Sequence, residues 1–274
     1  MSLINFVHAN GIVATAYGEF FKHLASPVLA KHQYAHHPAY PLNDQWSNQV
    51  LELIHYIETH CKAPIVGMGH SFGAVLTYKA ACLRPELFKA VIMCDPPLLV
   101  GWGGHLFGLA KKTRFIDKVT PAKISLARKK QWSKDVNIAQ YFATKRFFKD
   151  IQDESVYQYA LGITQLSAVT QPTSTNTDAS AETYKHYQLT YDPSIEANTF
   201  RTIPHDVAKF YGQIKVPGLL LTGSTTDVTF PIFQRHFLKG NVKFEHVELP
   251  GGHMFVLEQP KLTAQHINDF LQRL

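Results

Sequence analysis

The residues of this chain best placed to do chemistry lie in the run Gly67-Met68-Gly69-His70-Ser71-Phe72-Gly73, which carries the pattern G-x-S-x-G. A serine hydroxyl is a weak nucleophile unless it is lifted clear of the fold and a neighbouring base takes its proton. Glycines two residues before and after Ser71 allow the sharp turn that does the lifting. They also let a strand and the following helix approach closely. The flanking sequence has that context, with the apolar run Ile65–Met68 before the serine and a helical pattern over Phe72–Cys82 after it. The chemistry expected is nucleophilic attack on a carbonyl carbon. A histidine suits the role of base, because its ordinary pKa of about 6.5 lets it accept and return a proton near neutral pH. The chain has 15 histidines. His23, His55, His60 and His266 fall in helical patterns. His32 and His36 have the i, i+4 spacing of a metal pair, but in a stretch that reads as strand then loop, where that spacing does not converge on one ion. No metal and no cofactor is expected.

Around this motif the chain resembles the α/β-hydrolase superfamily, in particular its lidded serine hydrolases. The stretch from Phe72 to Asp95, with Arg84-Pro85-Glu86 before the next strand, looks like the family's elbow helix and sixth strand. Leu249-Pro250-Gly251-Gly252-His253-Met254-Phe255 looks like its histidine loop. The resemblance implies Ser71 as nucleophile, His253 as general base and an intervening acid that holds the imidazole in its working tautomer. It implies Asp227 for that acid, since Gly223-Ser224-Thr225-Thr226-Asp227 follows a strand at the place most members use. Asp95, in Cys94-Asp95-Pro96-Pro97, is the alternative used by some. Backbone N–H groups of Phe72 and Asn10 are implied as the oxyanion hole. Asn10 belongs to His8-Ala9-Asn10-Gly11, which is similar to the family's His-Gly-x loop with Ala9 in place of glycine.

The elements that must position these residues alternate. Leu3–Val7, Val28–Tyr34, Ile65–Met68, Ala90–Cys94, Pro217–Thr222 and Val242–Leu249 read as strands. Tyr17–Leu24, Gln45–Cys61, Phe72–Cys82, Phe230–Phe237 and Leu262–Leu271 read as helices between or after them. Strands separated by helices of this length build a parallel sheet through right-handed crossovers. Because the oxyanion loop begins at residue 8, the family's first two strands cannot precede it, and a wholly parallel sheet of six strands is expected. Residues 1–96 and 211–274 are expected to form this core. Residues 97–210 read as helices and loops, a mainly helical cap inserted after the family's sixth strand, with a loop over Thr170–Asp178. Leu98, Leu99 and Trp102 leave the core beside the expected site, and Met254 and Phe255 flank His253. These five are expected to line an apolar substrate pocket. The segment Tyr191-Asp192-Pro193-Ser194-Ile195-Glu196 receives no chemical role.

Composition bounds the function. The 274 residues, 45% hydrophobic, exclude a disordered chain. Formal charge is +6, yet residues 111–149 alone hold twelve Lys or Arg against two acids, so the rest of the chain is net acidic. No nucleic-acid-binding motif accompanies that charge, and nucleic acid is not an expected partner. Two readings remain for it: solvated helix faces, or a surface that steers anionic substrates. Three cysteines without CxxC spacing predict neither disulfides nor zinc and fit a reducing, cytoplasmic setting. Met1 is followed within a few residues by the strand-like run Leu3–Val7, so no signal peptide is expected. Ala90–Ala110 is too broken by Asp95, prolines and glycines to insert stably in a membrane. Serine at position 71 removes the alkyl-enzyme route that an aspartate there would allow. The expected activity is hydrolysis of a small, largely apolar carboxylic ester. A C–C bond hydrolase, a thioesterase and a noncatalytic ligand-binding protein on the same fold remain as alternatives.

Overall fold

The computed structural model describes residues 2–62, 64–172 and 181–274. In the first third of the chain, β1 (Ile4–Val7), α1 (Gly18–Lys22), β2 (Val28–Ala30), α2 (Ser47–His60), β3 (Ile65–His70), α3 (Phe72–Leu83) and β4 (Phe88–Cys94) follow one another. An inserted segment then supplies α4 (Gly101–Ala110), α5 (Ile116–Val119), α6 (Ala122–Leu126), β5 (Gln131–Ser133), α7 (Ile138–Ala143), α8 (Asp153–Ile163), β6 (Thr164–Pro172), β7 (Ala181–Leu189) and α9 (Pro193–Arg201). The chain closes with β8 (Gly218–Gly223), α10 (Pro231–Gly240), β9 (Phe244–Leu249), α11 (Phe255–Glu258) and α12 (Pro260–Gln272).

Six strands form one sheet in the order β2-β1-β3-β4-β8-β9, and every pairing in it is parallel. This is the sheet the alternation of strand and helix patterns predicts. Its interior strands β3 and β8 are buried along their whole length, as strands covered by helices on both faces must be. One apolar cluster on a face of the sheet joins Phe6, Met68, Ile92 and Leu221 to Tyr17 and Ile267. The cluster on the other face joins Val91, Met93 and Leu220 to Trp46, Leu53, Phe72 and Tyr78. No helix among the described residues is long and apolar enough to cross a membrane.

The inserted segment differs from the expectation of helices and loops. It carries a second, antiparallel sheet of three strands in the order β5-β7-β6, with Trp132 and Leu166 both opposite Tyr187. In the sequence the alternation of a half-buried strand is short or missing: it spans only Gln131-Trp132-Ser133 in β5, and in β6 Gln165, Leu166 and Ala168 are all exposed. Backbone pairing, not burial of one face, defines these strands. Thr170–Pro172, expected in a loop, complete β6, and residues 173–178 of that expected loop lie outside the described residues. The insertion joins the core through the first apolar cluster, where Ile138, Phe142, Val156, Tyr159 and Ile163 meet Ile12, Val13 and Met254.

Candidate active site

Ser71 sits between the end of β3 and the start of α3 with φ 54° and ψ −114°, a conformation rare for any residue with a Cβ. Its N–H donates to the Cys94 carbonyl at 2.8 Å, which ties the turn to the next strand. The close approach that glycines 69 and 73 were expected to permit is visible. A Cβ on Gly69 would lie 2.2 Å from the Gly73 carbonyl carbon, and one on Gly73 would lie 2.1 Å from the Val7 carbonyl oxygen. The helix thus starts directly against the end of β1, the strand that feeds the loop His8–Gly11.

His253 follows β9 in a turn where Gly251 has φ 117° and the Gly252 N–H donates to the Glu258 carboxylate at 3.0 Å. Its Nε2 lies 3.0 Å from Ser71 Oγ, and its Nδ1 lies 2.6 Å from Asp95 Oδ2. Donation of Nδ1–H to the carboxylate leaves Nε2 bare and able to accept the serine proton. Asp95 is 0% exposed. A buried carboxylate needs partners, and it has three: His253, the Gly223 N–H at 3.2 Å on Oδ1, and the Thr226 hydroxyl at 2.5 Å on Oδ2.

The structure corrects the expected neighbour of His253: Asp95, not Asp227, lies against its ring. Asp227 is exposed and makes no hydrogen bond to His253 among the described residues. The carboxylate facing His253 is the alternative, Asp95, at the end of β4. The physical reason lies in the loop after β8: it does reach the site, but the side chain that points in is Thr226, and Asp227 turns outward beyond it. Asp95 has φ 45°, which swings its carboxylate from the strand end toward β8.

The two N–H groups expected for the oxyanion hole are free of protein acceptors among the described residues, both at Asn10 and at Phe72. The loop carrying Asn10 is held by two buried histidines and a tyrosine. His8 Nε2 accepts the Tyr34 N–H at 2.8 Å, which obliges Nδ1 to carry the proton it donates to the Ala9 carbonyl at 2.8 Å. The Ala9 N–H donates to the Tyr17 hydroxyl at 3.1 Å. That hydroxyl donates to His70 Nδ1 at 2.8 Å, and His70 Nε2–H donates to the His253 carbonyl at 2.9 Å. A single buried chain of hydrogen bonds runs beneath Ser71 from the Asn10 loop to the backbone of His253. Burial pushes the His8 imidazole down to about 4 and the His70 imidazole down to about 3, so both are neutral near pH 7. Sequence reading singled out neither Tyr17 nor His70. The one signal was the position of His70 beside the nucleophile.

Of the five residues expected to line a pocket, Leu98 and Phe255 have no exposed surface and Met254 is buried. These three belong to the apolar clusters. Leu99 is half-buried, and Trp102 is 68% exposed. Large apolar residues beside a strand end went to packing, since burial there removes more surface from water than a half-open site does. A cavity of about 300 Å³ lies elsewhere, lined by Asp44, Gln45, Lys79, Asp206 and Phe210 among others, and includes neither Ser71 nor His253.

Comparison with known proteins agrees with this geometry at the level of family and fold. The family model described as "Alpha/beta hydrolase family" matches residues 6–266. A type I acyl-CoA thioesterase of Penicillium brevicompactum, mpaH', is 28% identical over 151 residues, which are 52% of this chain and 34% of that protein. The chain thus spans about a third of that relative's length. Among solved structures, E-2-(acetamidomethylene)succinate hydrolase superposes with a TM-score of 0.74 at 17% identity, over 99% of this chain and 91% of that one. The thioesterase domain from the curacin biosynthetic pathway gives 0.68 at 18% identity, over 97% and 90%. At such identities the structures speak for the fold alone. A family match across nearly the whole length, on a parallel sheet that carries Ser71 at a strand-to-helix turn within reach of His253, places this chain in the alpha/beta hydrolase family.

Proposed function

We propose that the chain is a serine hydrolase that cleaves a small, largely apolar carboxylic ester through an acyl-enzyme. The observation that carries this reading is the hydrogen-bonded series Ser71 Oγ, His253 Nε2, His253 Nδ1, Asp95 Oδ2, with spacings of 3.0 and 2.6 Å. His253 removes the Ser71 proton as Oγ bonds to the substrate carbonyl carbon. The carbonyl oxygen becomes an oxyanion, and the N–H groups of Phe72 and Asn10 receive it. The Phe72 donor gains from its place at the first turn of α3, where the helix dipole favours negative charge. Collapse breaks the bond to the alkoxy group, which takes the proton from His253. A water then repeats the sequence on the acyl-enzyme, and the carboxylic acid leaves. Asp95 holds the imidazole tautomer and offsets its transient positive charge.

Residues 97–210 are proposed as the cap over this site. The three unbridged cysteines, Cys82 and Cys94 among them buried, support a reducing, cytoplasmic setting.

A thioester is the second reading, favoured by the acyl-CoA thioesterase relative and the thioesterase-domain neighbour. The same series of groups serves it, with a thiolate leaving group that needs less help from His253. The deciding measurement compares p-nitrophenyl butyrate with a butyryl thioester on the wild type and on Ser71→Ala. We expect the ester to turn over and Ser71→Ala to lose at least about 10³-fold in kcat. Preference for the thioester would select the second reading. Equal rates for wild type and Ser71→Ala on both substrates would leave a binding protein.

A further inference from the structure

We propose that Tyr191 and Glu196, at the two ends of a segment with no chemical role expected from its sequence, latch the inserted segment onto Asn10 and thereby aim its N–H at the developing oxyanion. The inference rests on the reading that this N–H serves the oxyanion hole. A backbone donor in a loop is useful only if it already points where charge will appear, because reorganisation during the reaction would cost most of its benefit. The strand β1 ends at Val7, three residues before Asn10, so the strand ladder does not fix that direction.

The side chain of Asn10 is held at both ends instead. Its Nδ2–H donates to the Glu196 carbonyl at 3.0 Å, and its Oδ1 accepts the Tyr191 hydroxyl at 3.2 Å. A carbonyl can only accept, so the Glu196 contact sets which end of the amide is which, and the tyrosine must then donate. Burial pushes the Tyr191 phenol up, which keeps it protonated and a donor.

The latch is itself anchored. Asp192 caps α9 by accepting the Ser194 N–H at 2.8 Å, and Pro193 occupies the first helical position. The Glu196 carboxylate accepts the Ser125 hydroxyl at 2.9 Å and a bond from Arg128 Nη1, while Arg128 Nη2 donates to the Tyr159 hydroxyl at 2.5 Å. Gly11, next to Asn10, has φ 75°, and a Cβ there would lie 2.9 Å from the Glu196 carboxylate carbon. Ser125 of α6 thus holds Glu196 directly, Tyr159 of α8 holds it through Arg128, and Glu196 of α9 in turn meets Asn10 and Gly11. Tyr191 and Glu196 act as positioning residues. One consequence is that the oxyanion hole is complete only while the insertion is seated.

The test uses Tyr191→Phe, which keeps the ring and removes the donor, and Asn10→Ala, which removes both contacts but keeps the backbone N–H. We expect kcat to fall by about 10- to 100-fold, the size expected for a small misplacement of a catalytic group, with KM within about twofold. The inhibition constant of an alkyl boronic acid, whose tetrahedral adduct with Ser71 occupies the oxyanion hole, should rise by the same factor as kcat falls. A purely structural role would lower the melting point without linking those two quantities. Unchanged kcat in both variants, or a rise in KM alone with boronate affinity intact, would overturn the latch. Should Tyr191→Phe not fold, Asn10→Ala carries the test. If the wild type hydrolyses neither ester nor thioester, the functional reading has failed on its own. Amide hydrogen exchange then decides the latch: faster exchange at Asn10 and Gly11 in Tyr191→Phe supports it, and unchanged exchange sinks it.

Discussion

The Thr226 hydroxyl donates at 2.5 Å to the same Asp95 oxygen that receives the His253 Nδ1–H at 2.6 Å. Two donors thus hold one carboxylate oxygen, and the Gly223 N–H holds the other at 3.2 Å. The loop after β8 therefore supports the carboxylate that faces His253 without supplying it. Asp95→Asn is expected to lower kcat by roughly 10³- to 10⁴-fold, because an amide can present its NH₂ to Nδ1 and favour the wrong tautomer. Asp227→Asn, at an exposed position, should stay within about twofold of wild type. Steady-state rates on p-nitrophenyl butyrate for the two variants check this, and a larger loss in Asp227→Asn would return the acid role to that residue. Thr226→Ala should fall between them, since Asp95 keeps two of its three partners.

Gly73 offers a test of how the helix start and the oxyanion loop depend on one another. An added Cβ would meet the Val7 carbonyl oxygen at 2.1 Å and the His8 carbonyl oxygen at 2.8 Å, both backbone atoms with no rotamer by which to move away. Gly73→Ala must push β1 and α3 apart, at a cost of about 3 kcal/mol or more, the upper end for overpacking. Chemical denaturation should show that loss, and activity in the folded fraction should fall as well, since the displaced backbone leads straight into Asn10. A variant as stable and as active as wild type would mean that the two elements are not in contact at this point.

Much of the sheet was legible because most of its strands are apolar runs bounded by helical periodicity, as at Ile65–His70 between α2 and α3. Ser71 and His253 were legible because glycines flank both, and a sharp turn leaves a mark in sequence. The choice between Asp95 and Asp227 was not. Both follow strands, and what separates them is the left-handed backbone at Asp95 and the direction of one side chain, neither of which has a compositional signature. The three-stranded sheet of the insertion escaped for a related reason. Its strand β6 exposes Gln165, Leu166 and Ala168 alike, and β5 alternates over three residues only, too few for the period-two signal that burial imposes. Tyr17, His70 and Tyr191 were hidden among residues that usually only pack, and their hydrogen bonds join positions 53 and 181 residues apart.

The positive charge of residues 111–149 includes Lys112, Arg114, Lys118 and Lys123, all exposed and none in an ion pair among the described residues. Lys111 pairs with Asp44, Arg128 with Glu196, and Asp117 with Arg201. Unpaired surface cations raise the encounter rate of anionic substrates, and salt removes the effect. The kcat/KM for a p-nitrophenyl ester of a dicarboxylic acid should fall between about 0.01 M and about 0.15 M salt, where the screening length shrinks from ~30 to ~8 Å. The neutral butyrate ester should be insensitive over that range. Identical salt responses for the two esters would assign these cations to solvation of the helix faces alone.

Stability should depend on pH through His8 and His70. Both are 0% exposed, and burial lowers them from an ordinary 6.5 to about 4 and about 3. Below pH 6.5 the unfolded chain binds a proton at each position while the native state does not, so acid favours unfolding. The native state loses stability as pH falls from about 6.5 until each folded value is reached, near 4 for His8 and near 3 for His70. Within that window each group contributes a slope of up to about 1.4 kcal/mol per pH unit. His70→Gln can keep a donor to the His253 carbonyl and an acceptor for Tyr17 without a titrating ring. Urea unfolding at a series of pH values between 4 and 7 should therefore give the variant a shallower slope than wild type, with the two closest near neutral pH. Parallel slopes would show that His70 is already protonated in the native state, and the Tyr17–His70–His253 hydrogen bonds could not then run in the direction described.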